Sequence, residues 1–374
     1  MRNVFKVLQI SFTYIGTVVG AGFATGQEIL QFFTQYGRNA LFTILISTLL
    51  FVWLGTKLMV LSHRIQARSY EDVNLTLFGP KVGGYVSLFT LAVIICVNSV
   101  MLAGAGSVFA EHLNMHYQTG LLITIFGSYL IINRGMNAIL NLNSLVVPTM
   151  LVFTCFILWD TLQLPTTTMA FTYISDKPLY SAISSSFLYG AFNLAMAQAV
   201  LVPMGASMPN EKVIRAGGWI GGVLIGGMLY AGHIALSAHM PGIIQFEIPM
   251  GQIAYGLGFA IQIIYILLIF SEIFTTFIAD IYGVTLQIKQ RVSIHPKLIV
   301  MAIMLFCFLM SQFGFKSLVS ILYPLFGLFS FAWLILLVKV KLDDQHPIHP
   351  TPPAGGYSHF PNKKTSVKKA SEHS

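Results

Sequence analysis

Glu272, Thr275, Thr276 and Asp280 stand in an otherwise apolar run, three to four residues apart. On a helix that spacing puts most of them on one face. A carboxyl and two hydroxyls beside any freed backbone carbonyl are hard oxygen donors, the ligands that a cation such as Na⁺ takes. The plainer alternative is that Thr275 and Thr276 bond back to their own helix and that Glu272 bonds a neighbouring one. Asp280, nearer the end of the run, reads as solvated. A second unusual stretch is Gly16-Thr17-Val18-Val19-Gly20-Ala21-Gly22-Phe23-Ala24-Thr25-Gly26-Gln27-Glu28. Glycine costs roughly 1 kcal/mol against alanine in a helix interior, and Gly16, Gly20, Gly22 and Gly26 fall close together here. That cost is explained if the helix opens. Its freed N–H groups then face an anion and its freed C=O groups a cation. Packing is the competing explanation, because Gly16-x-x-x-Gly20 and Gly22-x-x-x-Gly26 both let helices approach closely. The polar Gln27-Glu28 that follows favours opening, and Glu28 reads as a gate or vestibule residue.

These groups sit in a chain whose composition fixes its solvent. The 374 residues are 55% hydrophobic and only 9% charged, against about 25% for a soluble domain. Many apolar runs reach the roughly 20 residues that cross a bilayer. The chain reads as an all-α, multi-pass membrane protein, with no cleavable signal peptide. Cys96, Cys155 and Cys307 show no metal spacing and read as small core residues. The net charge of +8 comes mostly from loops and tail, and reads as membrane orientation rather than nucleic-acid binding.

Ten apolar spans are expected, at about 7–34, 40–63, 82–110, 118–133, 137–163, 179–207, 213–238, 252–286, 297–313 and 318–339. The stretch 163–178 reads as extended, 240–249 as a short re-entrant or surface helix, and 343–374 as a disordered tail. With the N-terminus in the cytoplasm, 18 of the 21 Lys and Arg fall inside, leaving Arg38, Lys177 and Lys316 outside. Such a bias sets both termini cytoplasmic. Ten spans divide into five and five, and an odd number per half requires the second half to insert upside down, as an inverted repeat. Span six should then match span one. It carries Ser184, Ser185, Ser186, Tyr189, Gly190, Asn193 and Gln198 before Pro203. Paired interrupted spans point to a binding site at the membrane midplane, so helices one and six are both expected to be discontinuous. By contrast Gly217, Gly218, Gly221, Gly222, Gly226 and Gly227 in span seven have no polar companions until His233, and read as close packing. His233, Asn98, Asn141 and Asn143 read as interhelical hydrogen-bond partners, and Trp53, Trp159, Trp219 and Trp333 as interface anchors.

Gly16-Thr17-Val18-Val19-Gly20-Ala21-Gly22-Phe23 resembles the first-helix motif of the amino acid–polyamine–cation superfamily, which has the LeuT-type five-plus-five fold. The whole chain also resembles the YkvI-type family of bacterial membrane proteins, within or beside that superfamily. The likeness covers about Val7 to Val340. It implies a domain over 1–342, with repeats at about 7–163 and 179–339. It implies a Na⁺ site from the carbonyls of Gly16, Val19 and Glu272 and the hydroxyls of Thr275 and Thr276. It places a solute carboxylate near the amides of Ala21 and Gly22, with Gly20, Phe23, Tyr189, Gly190, Phe192 and Asn193 around it. Glu272 stands where the pattern has a small neutral residue, which opens proton coupling through Glu272 or Glu28. Phe23 replaces the asparagine of a second sodium site, so no second site of that type is expected. Span five has no lysine, unlike relatives that use one in place of sodium.

The function that follows is cation-coupled symport, by Na⁺ or H⁺, of a small amino-acid-like solute by alternating access. No cofactor is expected beyond a coupling Na⁺. The other reading is a ligand sensor of the kind found in spore-germinant receptors, which binds without transporting. No nucleophile–base pair or ligand cluster suggests an enzyme, and no filter repeat suggests a channel.

Overall fold

The structure is a computed structural model. It describes residues 2–132 and 136–342, with the side chains of 2, 136–145, 286, 290 and 291 outside the description. The expected tail at 343–374, Arg134 and the side chains of Asn141 and Asn143 therefore lie outside the described residues.

All regular structure described is helical: α1 Arg2–Val18, α2 Ala21–Ala24, α3 Gln27–Phe32, α4 Asn39–Leu50, α5 Thr56–Ile65, α6 Tyr70–His112, α7 Tyr117–Ile132, α8 Met136–Thr161, α9 Met169–Thr172, α10 Leu179–Ser207, α11 Glu211–Ala238, α12 Pro249–Gly256, α13 Phe259–Arg291, α14 Pro296–Ser311 and α15 Phe315–Lys339. Six stretches are long and apolar enough to cross a membrane, and α8 makes a seventh if it is taken with the helical turn after it, bent by 102°. α7 and α14 are apolar but shorter, and the first segment is divided. The expected spans all fall on helix, but the eighth, 252–286, joins the end of α12 to α13 across a break at Gly258.

Helix neighbours sort into groups. α1 packs along α11, and α4–α5 pack against both α10 and α11. α6 packs with α7, α13 and α14. α8 touches α11 and α13, while α15 touches α10 and α6. The opened segment lies where these groups meet, since α2 touches α13 and α6, and α3 touches α10 and α15.

Five of the six span-seven glycines are packing residues, and Gly227 alone among them has open space. A Cβ on Gly217 or Gly221 would strike Ile10 or Tyr14 of α1, and one on Gly222 would come within 2.7 Å of the Val52 backbone. One helix therefore lies flush against two others, as small-residue faces allow. Between α4 and α5 the helix widens into a π-turn at Phe51–Gly55. Tyr14 fills it: its hydroxyl donates to the Phe51 carbonyl at 2.9 Å, in space that any side chain at Gly55 would occupy. Widened turns of this kind need a group to take the displaced carbonyl, and Tyr14 supplies it.

Several expectations are corrected. α10 runs unbroken from Leu179 to Ser207, so helix six is not discontinuous. Most of its polar side chains bond carbonyls instead of marking a break, while Gln198 is buried with both side-chain amide atoms unpaired. Ser184 bonds Tyr180 O, Ser186 bonds Ile183 O and Asn193 bonds Tyr189 O. Ser185 reaches across to Phe32 O, and Ser47 donates to Ser186 O. The 163–178 stretch is not extended but folds into a helical turn and α9, closed by a single bridge from Ile174 to Gly37. Trp333 is buried, its indole N–H bonded to Asn74 at 3.0 Å, while Trp53, Trp159 and Trp219 are exposed as anchors would be. Cys155 is exposed, unlike Cys307. His233 is an interhelical partner, its ring nitrogen 3.2 Å from the Thr34 hydroxyl.

The glycine face yields an internal control. Gly222→Leu is expected to destabilise the protein by about 1–3 kcal/mol through overpacking, seen as a lower thermal midpoint in detergent. Gly227→Leu, where nothing lies within 4 Å of the added carbon, is expected to leave the midpoint unchanged.

Candidate functional site

The first apolar segment opens twice. α1 ends at Val18. Val19 N–H still donates to Ile15 O at 2.7 Å, but Gly20 N–H turns to Val18 O at 3.0 Å. A continuing helix would have given that donor to Gly16, so the Gly16 carbonyl is released. The second opening is at Gly26, whose φ of +83° is a left-handed conformation that favours glycine. Its Cβ position is also closed by Met250, 2.5 Å away. The motif glycines thus do different things. Gly16 packs on Val147, Gly20 has nearly free space with only Met101 at 3.7 Å, Gly22 lies under the Glu28 side chain, and Gly26 turns the chain.

α12 and the loop before it cover this opening. Met250 N–H donates to Thr25 O at 2.9 Å, and the Tyr265 hydroxyl donates to Ala24 O at 3.2 Å. The cover is latched to the end of α6. Both Glu111 carboxylate oxygens accept backbone amides, from Glu247 at 2.8 Å and Ile248 at 2.9 Å. The Ser107 hydroxyl bonds Glu247, and Lys316 donates to Ile244 O at 2.6 Å. Carboxylate–amide bonds are among the stronger hydrogen bonds, so Glu111 holds the loop at two points. At the opposite end Glu211 ties α5 to α11, with Arg64 at 2.5 Å and Arg215 at 3.1 Å.

Glu28 is buried, 3% exposed, not placed in a vestibule. Its side chain folds back from α3 over Gly22, where a Cβ would come 2.2 Å from the carboxyl oxygen. It neighbours Tyr189 of α10 and Tyr323 of α15. Glu28 Oε2 and both phenol oxygens have no partner at full hydrogen-bond geometry, though the Tyr189 hydroxyl lies close enough to the Glu28 carboxyl to interact with it. Buried polar atoms are nearly always paired, so three orphans converging from three helices mark a site. Rings enclose it: Phe32, Phe33 and Phe51 stand 5.2, 5.0 and 5.9 Å from the Tyr189 ring, and Phe192 lies 4.4 Å from Tyr323.

Of the residues expected around a solute, Gly22, Tyr189 and Phe192 meet at this cluster through Glu28 and Tyr323. Gly20, Ala21 and Phe23 belong to the opened stretch itself. Asn193 spends its amide on Tyr189 O, and Gly190 faces Leu50 of α4. Sequence reasoning missed Tyr323, Phe32, Phe33 and Phe51. The one available signal was Tyr323-Pro324, a lone phenol in mid-span ten.

Among the expected cation ligands, Thr275 is buried and its hydroxyl donates to Glu272 O at 3.2 Å. Thr276 is half-buried and Glu272 is 3% exposed. Asp280 is half-buried near Cys307 and Tyr323 rather than solvated. Tyr265 sets the register of α13 against α2. Glu272 and Thr276 follow it by seven and eleven residues, on the same face and about 10–16 Å further along.

The comparisons fit this geometry. A manganese transporter of Eremococcus coleocola superposes with a TM-score of 0.62 at 13% identity, covering 88% of this chain and 78% of that one. MhsT in complex with L-phenylalanine gives 0.69 at 13%, covering 88% of each chain. The molecule is therefore a multi-pass membrane protein with the LeuT-type fold that these transporters share. It belongs to the family of the Bacillus subtilis (strain 168) membrane protein YkvI, itself uncharacterised, with 41% identity over 336 residues, 89% of this chain and 95% of YkvI. YyaD of the same organism, also uncharacterised, is 22% identical over 324 residues, 87% of this chain and 94% of YyaD. No protein-family profile matches the chain.

The latch has a direct test. Glu111→Ala leaves two amides without their acceptor, each bond worth about 1.5–3 kcal/mol with a charged partner. Hydrogen exchange at residues 247–250 is expected to speed at least tenfold, with exchange in α11 unchanged.

Proposed function

We propose that the protein is a secondary transporter, coupling entry of a cation, Na⁺ or H⁺, to movement of a small amino-acid-like solute by alternating access. The observation that carries this reading is the opening at Val19–Gly20. It frees the Gly16 carbonyl, and α13, which packs on α2, carries Glu272 and Thr276 on the same face as Tyr265. Gly16, Val19, Glu272, Thr275 and Thr276 are the proposed Na⁺ ligands, with Glu28 and Glu272 as the groups for proton coupling. The amides of Ala21 and Gly22 would take the solute carboxylate. The L-phenylalanine bound to MhsT supports an amino-acid-like solute. Among the described residues no group of three or more His, Cys, Asp or Glu converges on one point.

Ten crossings in two inverted halves belong to the same proposal, with repeats at about 7–163 and 179–339 and both termini cytoplasmic. Helix neighbours support it, because pairs recur with an offset of five spans. The α1–α11 contact answers α10 against α4–α5, α6–α7 answers α13–α14, and α6–α14 answers α13–α7. In alternating access the α12 cover and the Arg64–Glu211 end would open in turn.

Uptake of tritiated L-phenylalanine, L-leucine and L-alanine into proteoliposomes, under a Na⁺ or a proton gradient, tests the reading. Thr275→Ala with Thr276→Ala is expected to lower Na⁺-driven uptake at least tenfold. An unchanged Na⁺ response in that variant removes the sodium assignment. Uptake driven by the proton gradient and lost in Glu272→Gln would move the coupling to Glu272. Binding with neither uptake nor counterflow would make the protein a sensor.

A further inference from the structure

We infer that Glu28, Tyr189 and Tyr323 form a receptor for a cationic nitrogen, so that the solute is recognised first by a protonated amine. The inference rests on the solute site proposed above and names the group that site reads.

A buried carboxylate without a counter-charge is costly, and a carboxylate inside a membrane segment generally has a function. No Lys, Arg or His pairs with Glu28 among the described residues. Its orphan oxygen and the two phenol oxygens come from α3, α10 and α15, and each residue is at least nine-tenths buried. One donor-rich cation placed among them would satisfy all three, and an ammonium has three N–H donors.

The surroundings decide between an organic cation and a metal ion. A hard metal cation takes about six oxygen ligands. Here one carboxyl and two phenols are supplied, and aromatic rings pack on both phenols: Phe32, Phe33 and Phe51 on Tyr189, and Phe192 on Tyr323. Ring faces within about 6 Å attract an ammonium and pack its carbon chain. Gly22 ties the receptor to the opened stretch. Only a residue without a side chain lets the Glu28 carboxyl lie against the backbone there. A solute held by its amine at Glu28 thus has its remaining atoms beside Gly20 and Ala21.

The test is a thermal-shift titration of the full chain in detergent with L-leucine, L-leucinamide and N-acetyl-L-leucine, repeated with the phenylalanine set, and with NaCl and KCl alone. Leucinamide keeps the ammonium and lacks the carboxylate; N-acetyl-leucine has the reverse. Free amino acids and amides are expected to stabilise the protein, and N-acetyl acids are not. Glu28→Gln is expected to weaken amine binding at least tenfold and Tyr323→Phe severalfold, with the melting curve without ligand checking that each variant folds. If Glu28→Gln does not fold, Tyr323→Phe alone decides.

N-acetyl acids binding as well as amines, unchanged amine binding in Tyr323→Phe or in folded Glu28→Gln, or no shift from any amine would each overturn the inference. So would a Glu28-dependent shift given by NaCl or KCl and not by amines. Uptake that survives Glu28→Gln defeats this inference and leaves the transporter reading standing. Glu28-dependent amine binding without any uptake does the opposite.

Discussion

Everything around the candidate site depends on one constraint: a helix inside an apolar protein has been opened, and its backbone groups must be answered. A spanning helix normally satisfies every N–H and C=O within itself. Here the chain departs from that rule at Val19–Gly20 and again at Thr25–Gly26. Neighbouring elements supply the missing partners. Met250 gives its amide to Thr25, Tyr265 gives its hydroxyl to Ala24, and the Thr25 hydroxyl donates to Gly22 O. The opening is thus held by α12 and α13, and a movement of either one changes what the freed groups meet.

The same opening allows the buried polar cluster. Because the chain reverses into the left-handed conformation at Gly26, α3 starts anew and Glu28 folds back over Gly22. In an unbroken helix, residues six apart lie on different faces, and that contact could not form. α10 and α15 then bring Tyr189 and Tyr323 to the carboxyl, and the π-turn between α4 and α5 presents the Phe51 ring to Tyr189. Tyr14, Phe51 and Tyr189 form a chain from the first segment through the second span to the sixth.

Polar residues in membrane helices carry two different meanings, and this molecule holds both. In α10 the serines and Asn193 bond nearby carbonyls and leave the helix continuous. In the first segment Ser11, Thr17 and Thr25 also bond nearby carbonyls, yet the backbone parts at Gly20 and Gly26. A count of polar groups per span does not separate these cases. The setting of each glycine does: Gly20 stands in nearly open space and Gly26 takes a left-handed turn, whereas Gly190 packs on Leu50 within a continuous α10.

The amino-acid sequence by itself determined the solvent, the helical class, the opening in the first apolar segment and the packing role of most of the α11 glycines. All of these follow from local composition and spacing, which a linear chain displays. Tertiary structure alone decided that α10 stays whole, that Glu28 is buried instead of facing a vestibule, that Tyr323 joins it and that Glu111 latches the cover over the opening. Each of those depends on contacts between residues far apart in the chain, such as the 295 positions from Glu28 to Tyr323. Periodicity within one segment holds no information about which residue of another segment will stand opposite. That is set by how the helices pack.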